Sequence, residues 1–190
     1  MRWIKHCCWG FSLTCVWPMA ALAGFGRFPE VFRLGAQAYS LVPGLVGDYL
    51  RIAYYRLTLT RCALASRVAF GSFFAHPDAR IGRGVYIGSY CILGNAEIGD
   101  RTQIASGVQV LSGRHQHTRG NDGAITGSDQ GVFTTVRIGP DCWIGAAAII
   151  MADVGAGTTI GAGAVVTKAI PAGVTAVGNP ARVRESKSDE

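Results

Sequence analysis

From Ile81 to Val166 a large aliphatic residue returns every six positions, usually with glycine directly behind it. The series reads Ile81, Ile87 and Leu93; Ile98, Ile104 and Val110; Ile138, Ile144 and Ile150; Val154, Ile160 and Val166. Within each group of three the spacing is six; between groups it slips to five or four, or opens into a long break after Val110. An α-helix repeats at 3.6 residues, and glycine at this density would cost it about 1 kcal/mol per position. A three-faced solenoid accounts for the pattern, because each hexapeptide forms one flat face and three faces complete a coil. The aliphatic side chain then points inward and stacks on its counterpart one coil away, at the ~4.8 Å spacing of neighbouring strands, while the small residue beside it lets the backbone turn the corner. Leu64 and Phe70, also six apart, predict a partial coil ahead of the first group.

The break spans Ser112 to Thr135, 24 residues rich in turn formers, and contains LSGRHQHTRG with two of the chain's four histidines, His115 and His117. A long loop thrown out from a rigid scaffold is more often functional than decorative. Imidazole, with an ordinary pKa near ~6.5, takes and returns a proton at neutral pH. No G-x-S-x-G elbow and no G-x-x-x-x-G-K-[ST] occurs, so neither a serine nucleophile nor nucleotide hydrolysis is indicated. VGAGTTIGAG imitates a dinucleotide fingerprint, but Ile160 replaces the last glycine and no strand-then-helix context surrounds it.

The formal charge of +6 is unevenly placed: residues 1–80 hold nine Lys/Arg and three Asp/Glu, and residues 81–190 hold nine of each. This argues against a nucleic-acid role for the repeat. Cys7 to Gly26 carries no charge and approaches the ~20 residues of a membrane-spanning helix, but Gly10, Pro18, Gly24 and Gly26 weaken a helical reading. The Ala-Leu-Ala that ends it imitates a secretory signal. PGLVGDYLRIAYYRL predicts a helix opened by Pro43, with Val46, Leu50, Ala53 and Leu57 on one stripe and Asp48, Arg51 and Tyr55 on another. Such a segment either docks on an anionic membrane or packs on the main domain. The six cysteines form no C-x-x-C pair, which points to reduced thiols in the cytosol.

The stretch DCWIGAAAIIMADVGAGTTIGAGAVVTKAIPAGVTAVGNPARV, Asp141 to Val183, with its V-V-T-K and G-N-P-A-[KR]-V elements, resembles the hexapeptide-repeat acyltransferases, and the likeness extends over about residues 64–184. It implies an all-β fold, a left-handed parallel β-helix that works as a homotrimer, with an N-terminal apolar and helical segment over 1–63, the protruding loop 112–135 and a polar tail over 185–190. It implies an acetyl-CoA-dependent O-acetyltransferase acting on a saccharide hydroxyl, an exopolysaccharide or lipopolysaccharide precursor, with no metal. In this family the base is a loop histidine; the S-G-x-x-Q-H form matches relatives that use the second one, so His117 is favoured, with His115 as substitute or partner. Ala162, Thr167 and Lys168 match the family's coenzyme-contacting stretch, and Arg182 its closing basic residue. Ala146 stands where several relatives have a serine near the developing oxyanion, leaving a backbone N–H of Gly145 or Ala146 for that role. Trp143 is a candidate flank for acceptor or coenzyme. The acetyl-CoA donor implies a cytoplasmic enzyme, and the basic, apolar N-terminus offers a candidate peripheral contact with the inner face of the membrane through residues 1–60. Two alternatives are a γ-type carbonic anhydrase, with zinc on His76, His115 and His117 although the spacing of the last two does not match, and a non-catalytic scaffold.

Overall fold

The structure, a computed structural model, describes residues 2–113, 124–125 and 133–184, with side chains from Cys8 onward. Three helices, α1 (Arg2–Leu22), α2 (Pro29–Ser40) and α3 (Gly44–Thr58), precede a β-solenoid of about five coils between residues 61 and 176. Its first face is a parallel sheet of β1 (Arg61–Cys62), β4 (Arg80–Ile81), β7 (Ala96–Ile98) and β10 (Val136–Ile138). The second holds β2 (Arg67–Val68), β5 (Tyr86–Ile87), β8 (Gln103–Ile104), β11 (Trp143–Ile144), β13 (Thr159–Ile160) and β15 (Thr175–Val177). The third holds β3 (Phe73–Phe74), β6 (Ile92–Leu93), β9 (Gln109–Val110), β12 (Ile149–Ile150) and β14 (Val165–Val166). After β15 the chain reverses, and β16 (Arg182–Val183) pairs antiparallel with it.

All twelve residues of the six-residue series are buried. They stand in register: Ile87 pairs with Ile104, Ile104 with Ile144 and Ile144 with Ile160 down the second face, and Leu93, Val110, Ile150 and Val166 follow one another down the third. On the first face Ile81 faces Ile98 and Ile98 faces Ile138, with bridges carrying the column to Val154 and Ile170. The first coil corrects the expectation for Leu64 and Phe70. Its inward residues are Cys62, Val68 and Phe74, while Leu64 and Phe70 are half-buried and the Phe70 ring meets Tyr90 edge-on at 5.7 Å. A cysteine occupies an aliphatic slot there as a small hydrophobe, and a search for large aliphatics passes over it.

Two of the three edges turn through residues with positive φ. Gly84, Arg101, Asp141, Gly157 and Gly173 do so between the first and second faces, and Gly71, Tyr90, Gly107, Ala147 and Gly163 between the second and third. Much of the glycine content follows from this, since any other residue in that conformation costs about 1 kcal/mol. Small polar side chains satisfy corner carbonyls on the next coil: the Ser72 hydroxyl donates to Gly88 O at 2.6 Å, Thr102 to Gly139 O at 2.7 Å and the Cys142 thiol to Gly155 O at 3.0 Å. The described cysteines are free. Burial pushes the Cys62 thiol up to about 12 and raises Cys91 and Cys142, so these are packing and hydrogen-bonding groups rather than nucleophiles.

Helix α3 lies across the first coil with its polar stripe buried, while the apolar stripe is only partly so: Ala53 is buried and Leu50 and Leu57 pack against the core. Val46 is 64% exposed and Leu50 and Leu57 are half-exposed, whereas Asp48, Arg51 and Tyr55 are buried along with Ile52 and Ala53. Arg51, 0% exposed, explains why the polar stripe is buried. Its Nε donates to Val68 O at 2.7 Å, Nη1 to Tyr39 O and Val42 O at 3.0 and 2.8 Å, and Nη2 to Asp48 Oδ1 at 2.6 Å. One guanidinium thus satisfies carbonyls at the end of α2 and on the first coil, and Asp48 also accepts from Arg67 Nε at 2.7 Å. The Tyr55 hydroxyl accepts from the Phe74 N–H at 3.3 Å, joining α3 to β3. Of the two expectations for this segment, the structure shows packing on the main domain. Helix α1 also departs from expectation, running to Leu22 with Pro18 inside it. Val16 and Ala20 are fully buried in the shared core and Trp9 meets Tyr49 at 4.7 Å, so tertiary burial outweighs a proline penalty of about 3 kcal/mol. Among the described residues no helix is long and apolar enough to cross a membrane.

Candidate functional site

The edge between the third face and the first is where the long break leaves the solenoid. Successive coils stack there through Ala75 N–H to Leu93 O, Gly94 N–H to Val110 O, Leu111 N–H to Ile150 O and Met151 N–H to Val166 O. His76, Asn95, Ser112, Ala152 and Lys168 follow these residues, so they share one edge in coil order. The neck of the break is tied at its base: Thr134 N–H donates to Ser112 O at 3.0 Å, Val136 N–H to Asn95 O at 2.9 Å and Asn95 N–H to Ser112 Oγ at 2.8 Å. His115 and His117 lie outside the described residues.

Two side chains at this neck had no place in the acyl-transfer reading of the sequence. Asn95 Oδ1 is buried without a hydrogen-bond partner among the described residues, and the His76 ring contacts Phe133 at 5.2 Å between centroids. A buried acceptor left unpaired costs about 1–3 kcal/mol, which sets Asn95 apart from the satisfied corner groups of the other coils. Burial, with the Arg33 guanidinium adding to it and Asp78 opposing, holds the His76 imidazole below its ordinary range. The sequence signal for this edge is the slip from six to five between Leu93 and Ile98, which falls on Asn95.

The expected coenzyme residues divide between two edges and the return strand. Gly145, Ala146 and Ala162 sit on the edge between the second and third faces, where Gly163 N–H donates to Ala146 O at 2.8 Å. A Cβ on Gly145 would collide with Ala162 N, so that corner needs glycine for close approach. Gly145 N–H donates to Ile160 O at 2.7 Å, whereas Ala146 N–H has no hydrogen bond among the described residues; of the two oxyanion candidates, Ala146 has the donor to offer. Thr167 and Lys168 lie on the loop-bearing edge, about 10 Å, or two coils, along the axis from the neck. Arg182 is exposed on β16, which Val165 N–H to Gly178 O and Ala181 N–H to Val165 O hold against the last coil at 3.0 and 2.8 Å. Arg67, Arg83, Arg101 and Arg137 all pair with carboxylates, but Lys168 and Arg182 have no ion pair among the described residues. Two unneutralised cations near the C-terminal end suit a phosphorylated ligand. Trp143 stands exposed on the second face between Gln103 and Thr159 of adjacent coils.

An open cleft of about 450 Å³ lined by Arg27, Thr58, Thr60 and Asp78 lies at the opposite, helical end. Among the described residues no three His, Cys, Asp or Glu side chains gather as a metal cradle; of the three histidines in the zinc alternative, His76 alone is described.

Three parallel faces with an aliphatic column behind each define a hexapeptide-repeat solenoid with one insertion on one edge. The family model for bacterial transferase hexapeptides, six repeats, matches residues 78–112 and 135–168, so the solenoid carries the repeats of that family. Over 112 residues it is 44% identical to nodulation protein L of Rhizobium leguminosarum bv. viciae, an alignment covering 56% of this chain and 57% of that protein. The chain spans little more than half of that relative and about a quarter of the larger bifunctional relatives it also matches. The fold is shared with a galactoside acetyltransferase solved with coenzyme A, at a TM-score of 0.68 and 23% identity over 84% of this chain and 82% of that one. It is shared also with a maltose O-acetyltransferase of Clostridium difficile 630, at a TM-score of 0.59 and 23% identity over 90% of this chain and 91% of that one.

Proposed function

We propose that this protein is an acetyl-CoA-dependent O-acetyltransferase whose acceptor is a saccharide hydroxyl, of the kind found in exopolysaccharide or lipopolysaccharide precursors. The observation that carries the reading is the single opening in the repeat. Every other coil runs on without interruption, and the segment inserted at the neck of Ser112 and Thr134 brings in two histidines. The relatives named for galactoside and maltose acetylation, one of them holding coenzyme A, support the donor and the acceptor class.

In this mechanism His117 accepts the proton of the acceptor hydroxyl as its oxygen attacks the thioester carbonyl carbon, with His115 orienting it or standing in. The tetrahedral adduct collapses, the C–S bond breaks, and the same imidazole returns the proton to the leaving thiolate. Ala146 N–H faces the developing oxyanion, while Lys168 and Arg182 meet the phosphates of the donor. No acyl-enzyme forms, in keeping with the buried, high-pKa thiols of Cys62, Cys91 and Cys142. The loop shares one edge of the prism with Thr167 and Lys168, while Gly145, Ala146 and Ala162 occupy another, so in this reading the site is completed where the loop edge of one copy meets the second-to-third edge of the next, in a homotrimer. The donor places the reaction in the cytoplasm.

The test is His117→Ala, His115→Ala and the double variant, assayed for acetyl transfer to a saccharide panel with coenzyme binding followed by calorimetry. The double variant should lose roughly 10²–10⁴-fold in turnover with coenzyme affinity retained. Normal turnover without both rings removes the mechanism, and light scattering that shows one chain mass removes the shared site.

A further inference from the structure

We propose that α1 and the turn following it form a membrane-docking surface, which seats the protein on an anionic lipid bilayer without crossing it. From Cys8 to Leu22 the helix has no charged residue. One side, with Ser12, Val16 and Ala20, is buried against the rest of the chain. The opposite side presents Phe11 and Leu22, 70% and 66% exposed, with Cys15 and Pro18 between them. Thr14, the polar member of that stripe, donates its hydroxyl to Gly10 O at 3.0 Å. The helix is therefore apolar all round, and such helices are found covered.

The stripe ends in exposed aromatics. Trp17, 55% exposed, meets Phe25 edge-on at 6.2 Å, and Phe28, 56% exposed, lies where a Cβ on Gly24 would fall. Phe11, Trp17, Leu22, Phe25 and Phe28 gather large exposed apolar side chains on one helix and its turn, and such a patch marks an interaction site.

Charge identifies the occupant. The first acidic residue of the chain is Glu30, whereas Arg2 and Lys5 open α1 and Arg27 and Arg33 follow it. Arg27 and Arg33 are exposed and unpaired with carboxylate among the described residues, in contrast to Arg83, Arg101 and Arg137 of the solenoid. A self-complementary contact between two copies would bring these cations against their own counterparts. Anionic headgroups instead neutralise them while the aromatic rings sit at the boundary between headgroups and acyl chains. Among the described residues no helix satisfies the length and hydropathy of a span, so α1 lies along the surface, held to the domain by its inner face. The inference is independent of the acetyl-transfer reading.

The experiment is flotation of the full chain with phosphatidylcholine vesicles, with and without phosphatidylglycerol, at low and high salt, alongside light scattering. Binding is expected on the anionic vesicles, weakened by salt and by Arg27→Glu with Arg33→Glu, and lost in Phe11→Ser with Trp17→Ser and Leu22→Ser at an unchanged melting temperature. Absence of binding, equal binding to both vesicles, or charge-reversal and serine variants that float like the original chain would overturn the proposal. So would a larger assembly that the serine variant dissociates, because a second copy would then be the cover.

Discussion

In the solenoid a buried residue is one rung of a column: Ile144 sits between Ile104 above and Ile160 below, in the same register and with the same partners as every neighbour. In the helical layer a buried residue such as Arg51 has no counterpart, and it reaches α2, the first coil and Asp48 at once. Both regions are fully packed, but the first spreads its stability over equivalent contacts with nearest neighbours, whereas the second concentrates it in one group. Repetition tolerates a local fault better than a hub does.

The largest test of that difference is Arg51→Ala. It leaves the Asp48 carboxylate with Arg67 alone and takes a donor from four backbone carbonyls, and should cost about 4 kcal/mol in urea unfolding. Ile144→Ala, which empties one rung, should cost about 3 kcal/mol and leave its neighbouring coils protected from amide exchange. A larger loss at Ile144 than at Arg51 would break the contrast.

His76 lies at the seam, near both Arg33 and the loop neck. Since burial and Arg33 hold its imidazole low, the folded chain binds fewer protons there than the unfolded one as pH falls. The stability that neutral His76 contributes is complete above the ordinary imidazole value of about 6.5 and is lost progressively as pH drops toward the folded-state value. His76→Gln should therefore flatten the fall in melting temperature between about pH 7 and about pH 5, and an unchanged slope would place the acid sensitivity elsewhere. The smallest effect is a gain: Ala147→Gly relieves a positive φ of 56° at an exposed corner and should stabilise by about 1 kcal/mol, provided the turn is as repetitive as its glycine-bearing equivalents.

The same contrast explains what was legible in the amino acids. Every aliphatic of the six-residue series lies where its period placed it, because a pattern of equivalent contacts is also a pattern of equivalent residues. The first coil was misregistered where Cys62 took an aliphatic slot. On helix α3 the burial of Arg51 and Asp48 is not legible, since amphipathic reasoning sends arginine outward and has no way to know that four carbonyls of other elements converge on one guanidinium. At the candidate site, the break in period located the edge, and the family likeness proposed Lys168 and Arg182. The orphaned Asn95 acceptor and the Phe133 contact of His76 depend on which corners stack, which no local spacing encodes.

The return strand β16 has one further consequence. By running backwards over β15, with Ala181 and Gly178 bonded to Val165, it takes up the backbone groups that would otherwise invite another parallel turn on two of the three faces. A ladder finished in this way offers no template on those two faces, which opposes end-to-end growth of the molecule into a filament.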